Sequence, residues 1–153
     1  MGRALPRHWR HRLTCRALVL LGAGCNCAEA VLRAFLEEYG YDPALYRLAT
    51  GLGAGIGTRR DVCGLLSGCV LVLGLLNDRG APHQVEGKRA AYPRAARIYD
   101  WFAAHGGVHC RDIVTDQPFR GHTVACRRAL VGALAEMEQL VPPPPGGEKS
   151  LVY

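Results

Sequence analysis

The chain has 153 residues, enough for one domain that buries about 70% of the surface its unfolded form exposes, so it needs neither disulfide staples nor a structural metal to fold. Apolar residues make up 49% and charged residues 21%, which excludes a disordered or low-complexity class. The formal net charge of +6 comes from 19 basic residues, all but Lys88 and Lys149 arginine. They are spread along the chain rather than gathered into a stripe with interleaved aromatics, which argues against nucleic-acid binding.

Residues 1–10 hold the one basic cluster, Arg3, Arg7 and Arg10, with His11 and Arg12 just beyond and only Trp9 among them. They are expected to form a solvated, mobile end. Leu13, Ala17, Leu20 and Leu21 then mark a first helix over about 11–22. The basic start followed by 17–21 also resembles a short signal peptide, but Arg16 interrupts the apolar run. A leucine stands one position too far from Cys25 for a lipoprotein cleavage site. A cytoplasmic first helix is therefore the expectation, with export as its rival.

The second helix has the clearest pattern. Ala28, Val31, Leu32, Phe35 and Leu36 fall on one helical face. Asn26 and Glu29 stand in capping-box spacing, and Gly40 stops the helix. A short third helix is capped by Asp42, opened by Pro43 and ended by Gly51. Residues 51–57 are glycine-rich but lack the Gly-Lys-Ser/Thr of a phosphate loop, so they read as a flexible connector that lets backbone pass close to something bulky. Residues 17–28 likewise fail as a dinucleotide-binding start. Cys27 stands where a small residue is needed, and no parallel strands follow.

Asp61 is expected to cap a fourth helix over 62–76. At 15 residues this run is short of the roughly 20 that span a bilayer, so no membrane span is expected. Being apolar all round, it belongs at the centre of the fold. A fifth helix over 86–105 turns Ala91, Ala95, Ile98, Trp101 and Phe102 inward, with Pro93 expected to kink it or mark its true start. A turn over 110–114 follows. A sixth helix over 122–140 buries Cys126, Leu130, Leu134 and Met137. The fold class is all-α: a compact single-domain bundle of about six helices around 62–76. It occupies 11–141, and 142–153 forms a proline-rich, mobile tail.

Seven cysteines are the unusual feature, and an odd number argues against a secreted disulfide framework. In a reducing compartment such a count points to metal binding or thiol chemistry. Cys27 opens the second helix and Cys63 follows Asp61 into the first turn of the fourth, so the helix dipole is expected to lower both thiol pKa values. Gly64 and Gly68, four apart after Cys63, let another backbone approach, which serves a cluster or ordinary helix packing equally well. Cys110 follows the helix-breaking Gly106-Gly107, and Cys126 lies near the start of the last helix. Cys15 and Cys69 read as core residues. Cys25 reads as a loop cysteine, with a resolving-thiol role as the alternative. His105, His109 and His122 near Cys110 and Cys126 make a zinc site conceivable, but no paired Cys-x-x-Cys knuckle is present.

These residues resemble the redox-active family named for its cysteine pattern, C_GCAxxG_C_C. The matching segments are 26–31, 51–57 and Cys63-Gly64-Leu65-Leu66-Ser67-Gly68, with Cys110-Arg111-Asp112 and Cys126. Leu65 departs from the family's alanine, and Cys25 and Cys69 are additional. The resemblance implies a helical redox protein whose functional sulfurs are Cys27, Cys63, Cys110 and Cys126, with Gly64 and Gly68 beside them. It also implies an iron–sulfur centre, [2Fe–2S] or [4Fe–4S], ligated by those four, with a protein electron donor or acceptor as partner. The residues themselves leave two other readings open. One is a metal-free thiol–disulfide oxidoreductase with paired cysteines. The other is a helical binding module with structural or zinc-bound cysteines. A homodimer is compatible with all three.

Overall fold

Asn26 and Glu29 start the element that organises the molecule, helix α2 (Cys27–Tyr39). In the computed structural model, which describes residues 8–77, 79–115 and 123–146, the expected capping box is complete. The Asn26 Oδ1 accepts the Glu29 N–H at 2.9 Å and the Glu29 Oε2 accepts the Asn26 N–H at 2.9 Å. The Thr50 hydroxyl donates to Glu29 Oε1 at 2.6 Å, and the Asn26 amide donates to the Thr50 carbonyl at 2.9 Å. Glu29, the one buried charged residue among the described residues, is thereby satisfied. The start of α2 is fixed against the segment that carries Thr50.

Ten of the thirteen α2 residues are buried, because three other elements cover it. These are α1 (His8–Gly22), a 3₁₀ segment (Pro43–Leu52) and α4 (Gly64–Leu75). Leu13, Ala17, Leu20 and Leu21 of α1 face inward as expected. Helix α5 (Val85–Ala104) packs on α4 and on α7 (Val124–Leu140). Two single turns complete the chain: α3 (Gly53–Ile56) and α6 (Cys110–Ile113). Among the described residues there is no strand, and the fold is all-α. No described helix is long and apolar enough to cross a membrane.

Seven α-helical segments and a 3₁₀ segment replace the expected six helices. The expected third helix is the 3₁₀ segment, capped by Asp42, whose carboxylate accepts the Ala44 N–H at 2.9 Å. The expected helix over 62–76 begins at Gly64, and Cys63, not Asp61, holds the N-cap position. The cause is a long-range pairing. Residues 60–63 run beside 108–111, with Cys63 N–H on Val108 O (2.8 Å), Cys110 N–H on Asp61 O (2.7 Å) and Arg111 N–H on Arg60 O (3.2 Å). Val62 and His109 form an antiparallel bridge within it. Helix α4 is central but not enclosed, since Val70 and Gly74 face outward.

Helix α1 begins at His8, ahead of the expected 11, and Trp9, 5% exposed, packs edge-on to Tyr39 with ring centroids 6.4 Å apart. Residues 1–7 lie outside the described residues. At the other end the Tyr39 hydroxyl donates to the Pro142 carbonyl at 2.5 Å and Pro144 is buried, so the chain packs on the helices as far as 144; 147–153 lie outside the described residues. Pro93 sits inside α5 without ending it. It is exposed, so water reaches the carbonyl that its missing N–H leaves unpaired.

Candidate functional site: a pocket lined by four cysteines

Cys27, Cys63, Cys110 and Cys126 come from four separate elements and line one cavity of about 250 Å³. Each is between 4% and 7% exposed. Cys27 is the first residue of α2, held by the Asn26–Glu29 network, and its sulfur receives the backbone N–H groups of Ala54 and Ala28. Cys63 ends the paired segment 60–63, and its sulfur faces the first-turn amides Leu65 and Leu66 of α4. Cys110 is placed by its N–H bond to Asp61 O, and its sulfur is hydrogen-bonded by Arg60. Cys126 lies in the first turn of α7, its N–H on the Thr123 hydroxyl at 3.3 Å. The sulfurs sense one another's charge: Cys126 is influenced by the other three.

The expected lowering of the thiol pKa values is reversed. The amides at Cys27 and Cys63 do favour the thiolate, but burial outweighs them and pushes all four thiols up. Cys63 and Cys126 reach about 12, with burial the main cause and neighbouring sulfurs adding to it. At neutral pH the four are protonated in the metal-free protein. A thiol pKa raised above its unfolded value means that the folded state keeps a proton which the unfolded state gives up. Stability should therefore fall as pH rises from the ordinary thiol value of 9.0 towards 12. The expected slope is about 1 kcal/mol per pH unit for each such thiol. Thermal melts of the reduced, metal-free protein between pH 8 and 10.5 check this, and Cys126→Ala should flatten the curve.

The two glycines divide the roles left open by the sequence. Gly64 lines the pocket. A Cβ there would overlap the Cys27 sulfur and stand 2.9 Å from the Leu52 carbonyl oxygen. Gly68 serves helix packing: a Cβ there would meet Ala28 O at 3.0 Å and the Val31 Cβ at 3.1 Å.

The opposite wall is a left-handed turn. Ala54, Gly55, Ile56, Gly57 and Thr58 all have φ between +51° and +71°. Residues 51–57 are thus not a loose connector. The turn is tied by Gly57 N–H to Gly51 O (3.0 Å), Arg60 N–H to Ala54 O (3.0 Å) and Asp61 N–H to Gly55 O (3.0 Å). Its register delivers the Ala54 N–H to Cys27. Left-handed backbone costs an L-residue about 1–2 kcal/mol, most for a β-branched one. Ile56→Gly removes that cost but gives up the covered part of a side chain that is 42% exposed and loosens the unfolded chain, so stability should change by less than about 1 kcal/mol. Urea denaturation reads this directly.

The other cysteines stand apart. Cys69 is fully buried in α4, as expected. Cys15 is exposed, not core, because it lies two residues from Leu13 and Ala17 and so off the inward face of α1. Cys25 is a loop residue lying among Arg16, Glu29, Arg33 and Glu37. No disulfide links any of the seven. The histidines are engaged elsewhere. His109 sits between Asp112 (3.2 Å) and Asp61 (3.5 Å), which is where the expected capping carboxylate has gone. His105 stacks on Trp101 with Nδ1 at 2.7 Å from the Trp101 carbonyl. His122 lies outside the described residues. Among the described residues, no three His, Cys, Asp or Glu side chains are arranged to hold a single metal ion.

A family model described as "Putative redox-active protein (C_GCAxxG_C_C)" matches residues 25–140, a span that takes in all four pocket cysteines. The chain belongs to the C_GCAxxG_C_C family. No significant match occurs among curated proteins or among solved structures. In this C_GCAxxG_C_C protein Leu65 is fully buried, so the larger residue fills core beside Cys63 without touching the pocket. Six pocket residues escaped the sequence reading as site residues: Asn26, Gly53, Ala54, Thr58, Ile113 and Val114. So did Arg60, whose only signal was its place between the glycine turn and Cys63.

Proposed function

We propose that the four-cysteine pocket is a redox centre in which Cys27, Cys63, Cys110 and Cys126 together ligate an iron–sulfur cluster, and that the protein transfers electrons to or from a partner protein. The observation that carries this reading is four buried sulfurs, drawn from separate elements, around one small cavity. Four cysteine thiolates are the usual donor set for such a cluster, which when bound supplies one-electron transfer. Four thiols driven to the neutral form by burial need a cationic group among them before they ionise together. The four-sulfur donor set suits a cluster, and no described His, Asp or Glu lines the cavity. A single ion needs every sulfur within about 2.3 Å, whereas a polynuclear group places several atoms between its ligating sulfurs.

The chain's own residues hold the sulfurs in place and keep water out. The amides of Ala28, Ala54, Leu65 and Leu66 direct partial positive charge at Cys27 and Cys63, which stabilises thiolates there.

A second reading rests on the shared cavity of Cys27 and Cys63, where the charge of Cys27 acts on Cys63. Without metal, two thiols would pass two electrons and two protons to a disulfide substrate, forming one S–S bond and breaking another. Anaerobic purification with a visible spectrum and assays of iron, sulfide and zinc separates the readings. Brown protein with iron and sulfide is the expected result. Colourless protein whose thiols titrate as a two-electron couple supports the second. Inert thiols, or zinc alone, overturn both and leave a binding module.

A further inference from the structure

We propose that Arg60 is a positioning residue of the four-cysteine pocket, a fixed positive charge held against Cys110 that makes the pocket accept an electron more readily. The inference rests on the redox reading above and adds a residue outside the cysteine pattern.

The backbone places Arg60 beside the pocket from two directions. Its carbonyl accepts the Arg111 N–H at 3.2 Å, one step along the ladder from the Cys110 N–H bond to Asp61 O. Its own N–H donates to Ala54 O at 3.0 Å, on the turn that forms the facing wall. Arg60 thus joins the segment that carries Cys110 to the segment that caps Cys27. It does so with φ at +57°, a left-handed conformation that costs an arginine energy and persists only where the surroundings enforce it. The guanidinium hydrogen-bonds the Cys110 sulfur, and its Nε and Nη1 atoms are sealed from solvent. The neighbouring Arg59 is exposed, and Arg127, the cation near Cys126, also stays in solvent.

Burial makes that charge count. An arginine does not lose its proton in a protein. A cation removed from water is screened far less than one on the surface. The cavity lining beside Cys110 is Ile113 and Val114, both apolar. When one electron enters from a one-electron donor, no bond forms or breaks, no proton moves, and the charge of the pocket falls by one. A permanent positive charge in contact with one sulfur stabilises the reduced state over the oxidised one. For a dithiol couple the same sign holds once the reduced thiols have ionised at alkaline pH, since the guanidinium favours a thiolate.

The test is a redox titration of the anaerobically purified protein, followed in the visible spectrum, for wild type, Arg60→Lys, Arg60→Met and Arg111→Met. Iron, sulfide and thiol content and the melting temperature are measured on each. Arg60→Met, with unchanged iron and sulfide, should shift the oxidised-to-reduced ratio at the wild-type midpoint about tenfold toward oxidised, or 59 mV for a one-electron couple. Arg60→Lys should fall between the two. Arg111→Met should stay close to wild type, since Arg111 is 56% exposed. If Arg60→Met does not fold, Arg60→Gln, which keeps donors but no charge, should show the same shift. A folded, fully loaded Arg60→Met or Arg60→Gln with the wild-type midpoint overturns the proposal, as does an equal shift in Arg111→Met. Wild type lacking iron and sulfide sinks the cluster reading but not this one. The same order of midpoints is then expected for the thiol couple equilibrated with glutathione at alkaline pH, where thiolates form, and its absence overturns the role of Arg60.

Discussion

Replacing Gly64 with alanine is expected to destabilise the protein by about 3 kcal/mol, the upper end of an overpacking effect, and to abolish whatever the four sulfurs hold. The added carbon has nowhere to go. It overlaps the Cys27 sulfur, meets the Leu52 carbonyl at 2.9 Å and stands 3.4 Å from the Ala28 nitrogen. Two of these are backbone atoms. Cys27 is held by the Asn26–Glu29 capping box and by its place at the start of α2, so it cannot retreat without uncapping the helix. Gly68→Ala supplies the comparison, since its nearest neighbours lie at 3.0 to 3.2 Å and the site is not in the pocket wall. A loss of about 1 kcal/mol with the pocket intact is expected there. Urea titrations of both variants, with iron and sulfide assays, read the difference. Equal stability would mean that α4 slides away from α2 freely, contrary to the packing described.

Serine at any one of positions 27, 63, 110 or 126 is expected to lower bound iron and visible absorbance by more than tenfold, since a three-sulfur set is incomplete for the cluster. Cys15→Ser and Cys25→Ser should retain both, because neither residue lines the cavity. Cys69→Ala separates packing from ligation most sharply. Its side chain is fully buried, so truncation should cost about 1–2 kcal/mol, yet iron content should remain at the wild-type level. Metal analysis of the seven single variants, each purified without oxygen, decides the assignment. Retention of iron in two or more of the four serine variants would break the four-sulfur set.

Much of the scaffold was legible because its signals are local. The α2 face and its capping box need only residues 26–36, and both are present as read. The four cysteines that the pattern singled out line one cavity. What was misread depends on contacts between distant segments. Asp61 has the composition of a helix cap, but pairing of 60–63 with 108–111 pulls it out to face His109, and Cys63 takes the cap position. Glycine-rich 51–57 looks loose in sequence, yet hydrogen bonds from Gly57, Arg60 and Asp61 wind it into a left-handed turn. The thiol pKa values were misjudged for a related reason: a helix N-terminus is visible in sequence, while the walls that desolvate the sulfur come from elsewhere.

The last of the four sulfurs sits on α7, almost a hundred residues downstream of the first. During synthesis the amino-terminal helices emerge and begin to dock while this piece is still inside the ribosome. A nascent chain thus cannot mature its centre as it grows. On the cluster reading, delivery of metal and sulfide must come after residue 126 has been made, and must reach sulfurs that the docking of α7 begins to seal.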